Sequence, residues 1–322
     1  MVPAAHPADV RTYYERPVLK EPTWKWYIPA YFWAGGLAAG SSLLAVGAEL
    51  SGDAGLARRS RLVAVSSIGV GAACLVADLG RPERFHHMLR VVKPSSPMSV
   101  GTWLLSVYGP AAGLAAAADL LAMAGGAGGG RLGLSRRAAG RGAGLASAGR
   151  AAGWVAAVTA PGVATYTAVL LTDTAVPAWH GAGRTMPGLF VTSAASAAGG
   201  MALVAGALAG AEPYPATVRL AIGGVAAEGI AAQVVERTLD PAVRQAWESG
   251  PARTLSRLAA GLGAVGAAGV LASQWGSPQP RGRRWLVGVG GAMIAAASAC
   301  ERFAVLAAGR ASAANPRATI GP

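Results

Sequence analysis

The sequence predicts an all-α integral membrane protein with eight transmembrane helices, and three observations lead to this fold class. Hydrophobic residues make up 53% of the 322 residues, and the mean hydropathy is +0.41, which is more apolar surface than a soluble core can hide. Only 13% of the residues are charged, about half the share in typical globular domains. The apolar runs reach about 17 to 25 residues, long enough for membrane-spanning helices and too long for barrel strands of about 10 residues.

The predicted helices follow one another along the chain with polar breaks between them. Their spans are 28–50, 61–78, 98–123, 151–172, 187–210, 216–236, 255–275 and 284–308. The glycine-rich, basic run AGGAGGGRLGLSRRAAGRGAGLASAGR is expected to be a flexible extramembrane linker that joins two four-helix halves. The chain then divides into a tail 1–27, a first half 28–123 with helices 1–3, the linker 124–150, helices 4–5 at 151–210, helices 6–8 at 211–308, and a tail 309–322.

Glycine is abundant inside the spans, with 46 glycines in the protein. Small residues at four-residue spacing let two helices approach closely in lipid. The candidates for such contacts are Gly36 with Gly40, Gly206 with Gly210, and the run 261–269.

One polar connection stands out between the second and third spans. It lies within DLGRPERFHHMLRVVKPSSPMSVGTW, residues 78–103. Gly80 suits the end of the preceding helix, and Ser96 followed by Pro97 suits the start of the next one. We call residues 79–97 the signature loop. The alternative to a functional segment is a basic loop that only meets lipid headgroups.

An even number of helices places both termini on one side of the membrane, with the loops 79–97, 173–186 and 237–254. The opposite side then holds residues 51–60, 124–150, 211–215 and 276–283. Basic residues occur on both sides, so the positive-inside rule gives no clear orientation. The net charge of +13 fits loops that are attracted to anionic lipid headgroups, and no nucleic acid is expected as a partner.

The cysteines and histidines limit the redox groups that this protein can hold. Cys74 and Cys300 lie inside apolar spans, and an iron–sulfur cluster normally needs four thiolates. A haem within the membrane needs axial ligands in the helices, whereas the four histidines all lie outside the predicted spans: His6, His86, His87 and His180. We therefore expect no haem, no iron–sulfur cluster and no metal site in this protein.

Several ionisable residues lie inside or at the end of the predicted spans. Each costs about 2.5–3.5 kcal/mol or more at mid-membrane, so its presence indicates a partner or a proton path. A structural ion pair such as Glu228–Arg302 and a proton relay stay open as alternatives. The residues of this set are Glu49, Asp119, Glu228, Glu301 and Arg302.

Three stretches, in this order, resemble the NrfD/PsrC family of polysulfide-reductase-type membrane subunits, which exchange electrons with quinones. WKWYIPAYFWAGGLAAGSSLLA, residues 24–45, is similar to the first helix of that family. DLGRPERF followed by KPSSPMSVGTW is similar to its signature loop. YTAVLLTDTAVPAWH, residues 166–180, is similar to the end of its fourth helix and the loop beyond. The resemblance covers most of the sequence.

The resemblance implies a bound quinone, with menaquinone as the expected type. In the family, polar side chains at the start of the first helix and a tyrosine on the fourth hold the head group. Tyr166 matches that tyrosine, whereas Tyr31 stands where a histidine occurs and Ile28 where an asparagine occurs. We expect the site between the first four helices near the signature loop, with Asp78 and Arg81 at its mouth. An interfacial aromatic anchor is the alternative for both tyrosines.

The resemblance also implies partner subunits on the signature-loop side, with the protein in the bacterial cytoplasmic membrane and its termini facing outward. A ferredoxin-like iron–sulfur subunit would dock there, and a catalytic oxidoreductase subunit would follow. The run YTAVLLTDTAVPAW is most similar to members associated with formate-dehydrogenase-like proteins, which are molybdopterin enzymes. The expected docking residues are Arg84, Arg90, Lys93, Trp179, His180 and Arg184.

Two other functions remain open at the level of sequence. A secondary transporter would suit eight spans and a buried Glu228, although transporters usually repeat interrupted helices in two matching halves, and the two halves here look unlike. A purely structural membrane anchor without a quinone site is the other alternative.

Overall fold

The computed structural model of the protein describes residues 19–128, 136–275 and 280–320. These residues form helices and short connections, with no strand among them. Eight of the helices are long and apolar enough to cross a membrane, which confirms the predicted fold class. They are α1 (Tyr27–Leu50), α2 (Ala54–Asp78), α3 (Pro97–Gly128), α4 (Arg136–Thr172), α5 (Met186–Leu208), α6 (Pro215–Thr238), α7 (Gly250–Trp275) and α8 (Pro280–Ala314).

The helix boundaries follow the local punctuation. α3 begins at Pro97, as predicted, and α2 ends two residues before Gly80. α2 begins seven residues earlier than predicted, because the Asp53 side chain caps it by accepting a hydrogen bond from the Leu56 amide at 2.8 Å. The signature loop contains a 3-10 helix, Pro82–Arg90. Three further short helices lie outside the spans: Pro177–His180, Pro241–Arg244 and Pro316–Ile320.

The predicted linker differs from the structure in length and in position. α3 and α4 extend into residues 124–150 from both ends, because the alanines and arginines of this segment favour helix. Residues 129–135 lie outside the described residues. α3 and α4 also pack against each other, so the segment lies inside the first half. We call α1–α4 the first half and α5–α8 the second half, and residues 173–185 connect α4 to α5.

α1, α5 and α8 are the most buried spans, and they pack against one another at the junction of the two halves. A Cβ added at Gly40 would lie 2.6 Å from the carbonyl oxygen of Ala194 on α5, so only glycine allows this approach. The predicted contact of the first glycine pair is therefore present. A Cβ added at Gly206 would meet nothing within 4 Å, and Gly210, with φ of +70°, follows the end of α5 and accepts a hydrogen bond from Arg284 at 3.2 Å.

Contacts between connections fit the predicted arrangement of the loops. Trp24, before α1, stacks on Trp179 with ring centroids 5.2 Å apart. Arg310, near the end of α8, donates to the Trp24 carbonyl. At the opposite end of the helices, Arg283 pairs with Glu212 at 3.5 Å. Segments that were assigned to the same side therefore meet.

Candidate functional site

A cavity of about 440 Å³ lies beneath the signature loop. Its walls come from the C-terminal half of α2, the N-terminal half of α3 and one residue of α1, and the 3-10 helix contributes Met88 and Leu89. Gly109, its deepest lining residue on α3, is 12 residues from the start of that helix, or about 18 Å at 1.5 Å per residue. The cavity therefore extends from the loop to about the middle of a 30 Å hydrocarbon layer.

The lining of this cavity is mainly aliphatic, with a few hydroxyls. Thr102 and Ser106 donate their hydroxyl hydrogens to carbonyls four residues earlier on α3, at 2.9 and 2.8 Å. They can still accept a hydrogen bond but have no proton left to donate. Tyr31 supplies a phenol to the same lining, and it is 4% exposed.

Tyr166 lies directly behind Tyr31. The two rings meet edge-on with centroids 6.4 Å apart, and the Tyr166 ring presses against Gly101 of α3, where any side chain would collide with it. The Tyr166 hydroxyl is buried and has no hydrogen-bond partner among the described residues. The structure thus brings the two predicted tyrosines together, with Tyr31 in the cavity wall and Tyr166 in the layer behind it.

Asp78 and Arg81 are close to the cavity without lining it. Leu79 lies between them in the sequence and does line it. Asp78 is half-buried at the end of α2, and Arg81 is exposed. Both residues are therefore at the loop end of the cavity, where the sequence placed them, and neither reaches its wall.

Glu49 and Asp119 form a charge cluster at the other end of the first half. Both bind Arg61 of α2, Glu49 through a short contact and Asp119 at 3.2 Å. Arg61 is 8% exposed, and its guanidinium packs against Gly153 of α4. Glu49 and Asp119 therefore each have an arginine partner, as the ion-pair alternative expects. The sequence did not indicate Arg61 as the partner of these acids, because Arg61 stood at the expected start of the second span, where an arginine needs no partner.

Glu228, Glu301 and Arg302 lie in the second half, and they do not form the expected pair. Arg302 donates to the Phe190 carbonyl at 2.8 Å, and its guanidinium carbon is 3.6 Å from the Phe190 ring centre. Among the described residues it makes no ion pair with either glutamate. Glu228 instead accepts a hydrogen bond from Ser196 at 2.5 Å.

The predicted docking residues divide into two groups. Trp179 is 1% exposed, stacks on Trp24 and donates to the Val305 carbonyl at 2.8 Å. It packs inside the fold, because the loop after α4 folds back over the end of α8, and it cannot contact a partner. The other five are exposed on the signature-loop side: Arg84, Arg90, Lys93, His180 and Arg184.

The cysteine and histidine side chains, which could ligate a metal, do not come together in one cluster among the described residues. Cys74 and Cys300 are free thiols on α2 and α8. The His86 and His87 rings meet edge-on at 4.5 Å in the signature loop. Within the described ranges, no group of three or more histidine, cysteine, aspartate or glutamate residues could hold a metal ion. His6 lies outside the described residues.

The sequence resembles known proteins, and the family match covers the residues that line the large cavity. The sequence profile of the family described as polysulphide reductase, NrfD, matches residues 18–235, a range that includes the signature loop and α1–α5. The C subunit of the polysulfide reductase of Wolinella succinogenes is 34% identical over 93 residues. That alignment covers 27% of this protein and 29% of the relative, so the match spans less than a third of the relative's length.

Proposed function

Because this chain belongs to the NrfD polysulphide reductase family, we propose that it is the quinone-binding membrane anchor of an oxidoreductase complex. The quinone site is the 440 Å³ cavity beneath the signature loop. The partner is an iron–sulfur subunit, and a catalytic subunit, of the molybdopterin type found in formate dehydrogenases, lies beyond it. The Wolinella relative, named as the C subunit of a polysulfide reductase, supports membership of a multi-subunit enzyme.

The single observation that carries this proposal is the chemistry of the cavity. Sites for small ligands have volumes of about 300–1,000 Å³ with apolar walls and a few placed polar groups, and this cavity fits that description. Its aliphatic walls from α2 and α3 suit a ring and an isoprenoid tail, and Tyr31 supplies a phenol donor for a ring carbonyl. A quinone bound there accepts or releases two electrons together with two protons.

The position of the cavity supports partner docking on the signature-loop side. Met88 and Leu89 of the 3-10 helix line the cavity, while Arg84 and Arg90 of the same helix are exposed. One short helix therefore has one side on the proposed quinone site and the other on the proposed docking surface. A cluster in a subunit bound to this surface lies close to the quinone head group.

A pair of glycine variants tests the proposed site. Gly109 lines the cavity, Gly113 lies one turn further along α3 outside it, and an added Cβ at either position meets nothing within 4 Å. Gly109→Leu fills part of the cavity, and overfilling a packed site costs about 1–3 kcal/mol. The affinity for a short-chain menaquinone analogue, measured by titration calorimetry on the purified protein, falls by about 5- to 150-fold. Gly113→Leu leaves it unchanged.

Three outcomes discriminate between the alternatives. Equal affinities of the two variants would place the quinone elsewhere. No measurable affinity in the unmodified protein would favour a purely structural anchor. Binding that Gly109→Leu alone weakens supports the cavity as the quinone site.

A further inference from the structure

A second cavity, of about 200 Å³, lies in the other half of the protein between α6, α7 and α8. It shares no lining residue with the cavity beneath the signature loop. Glu228 and Glu236 of α6, Ser256 of α7 and Glu301 of α8 all line it. A cavity needs only about 10–15 Å³ to hold one water molecule, so this one is large enough for a hydrated ion.

Three buried oxygens in this lining have no hydrogen-bond partner in the described part of the protein. They are one carboxylate oxygen each of Glu228 and Glu301, both Oε1, and Oγ of Ser256. Glu228 and Glu301 are only 8% and 4% exposed. Ser196 binds the second oxygen of Glu228 at 2.5 Å, which fixes that side chain while Oε1 stays available. Three helices thus each contribute an acceptor oxygen to one cavity.

The lining of this cavity holds acidic residues and no basic residue. Glu228, Glu236 and Glu301 are the three acids of the lining, and Arg302 follows Glu301 on α8. The guanidinium of Arg302 is turned to α5, where it contacts the carbonyl and the ring of Phe190. No basic side chain of the lining therefore compensates these carboxylates, and a buried carboxylate is costly unless it is paired, hydrogen-bonded or neutral.

We propose that this cavity binds one monovalent alkali cation, held by the free oxygens of Glu228, Glu301 and Ser256. Carboxylate and hydroxyl oxygens are the hard ligands that hard cations prefer. A monovalent ion compensates one ionised carboxylate, and the other acids can stay neutral by keeping a proton. Glu236, half-buried and two residues before the end of α6 at Thr238, lies where the cavity approaches the loop 239–249. This gives the ion a route from the signature-loop side.

Binding of radioactive sodium to the purified full-length protein in detergent tests the proposal directly. Saturable binding of one ion per protein molecule is expected, measured by scintillation proximity in choline buffer. Glu301→Gln and Glu228→Gln each weaken the binding by at least tenfold, because each removes one carboxylate ligand. Glu212→Gln is the matched control, since this glutamate is mostly exposed in the connection between α5 and α6, and its affinity stays within twofold. No saturable binding, or unchanged binding in Glu301→Gln, overturns the proposal.

A second measurement keeps the test valid if the two glutamine variants fail to fold. The unmodified protein melts at a higher temperature in sodium chloride than in choline chloride of equal ionic strength, because an ion that binds only the native state stabilises it. Equal melting temperatures in the two salts, at sodium concentrations high enough to saturate the site, overturn the proposal. Neither reading involves quinone, so this proposal and the proposed quinone site fail independently.

Discussion

Tyr166→Phe removes one hydroxyl from α4 and leaves the ring in place. The ring contacts Gly101 and Tyr31, and these contacts survive the substitution. The hydroxyl has no hydrogen-bond partner among the described residues, although it is buried. Its removal therefore breaks no bond within the described protein and tests whether the hydroxyl serves a ligand.

The expected effects on stability and on binding differ in sign. A buried hydroxyl without a partner costs about 1–3 kcal/mol, and replacing it by an apolar group of the same shape is close to neutral or stabilising. The free energy of unfolding of the free protein is therefore unchanged or higher. If the hydroxyl donates to the quinone head group, the variant loses a hydrogen bond of about 0.5–1.5 kcal/mol. The quinone dissociation constant then rises by about 2- to 13-fold.

Tyr108→Phe is the matched control. Tyr108 is also buried, but its hydroxyl is bonded to Ser42 at 2.8 Å and it does not line the large cavity. That variant loses about 0.5–1.5 kcal/mol of stability with an unchanged quinone affinity. Calorimetric titration with a menaquinone analogue and thermal melting in detergent measure both quantities for each variant. An unchanged affinity of Tyr166→Phe removes Tyr166 from the site, and a lower melting temperature shows that its hydroxyl has a partner in the protein.

Two further predictions concern the charged residues. Arg61→Met leaves Glu49 and Asp119 without their cation and lowers the free energy of unfolding by about 3 kcal/mol. This is the low end for a broken buried ion pair, because the two acids keep 25% and 20% exposure. A melting temperature equal to that of the unmodified protein would contradict this account. The double variant Arg81→Glu with Arg84→Glu is expected to release the iron–sulfur partner from membranes while the anchor itself stays inserted, as co-purification measures. Arg219→Glu, at the exposed opposite end of α6, is the control and keeps the partner. A partner that stays bound to the double variant docks elsewhere.

The sequence predicted the candidate site in part, and Trp179 shows where that prediction fails. A tryptophan in a loop after a span is typical of an interface, and nothing in the local sequence indicates otherwise. Its burial depends on α8, which lies far along the sequence and supplies the Val305 carbonyl. The partners of Arg61 were missed for the same reason, because Asp119 approaches from a different helix. Tyr31 and Tyr166, in contrast, were predicted to share one site from recognisable motifs, and their rings do meet.

The sequence by itself determined the eight spans, because long apolar runs must be helical in lipid, where each backbone group needs a partner within its own segment. It also determined the start of α3 at Pro97 and the exposed basic surface of the signature loop, which depend on neighbouring residues only. Tertiary structure alone decided which helices form each half and which charges meet. Arg302 turns to Phe190 and leaves Glu301 unpaired, because close packing of α1, α5 and α8 fixes the direction of each side chain. That packing is set by contacts between residues far apart in the sequence.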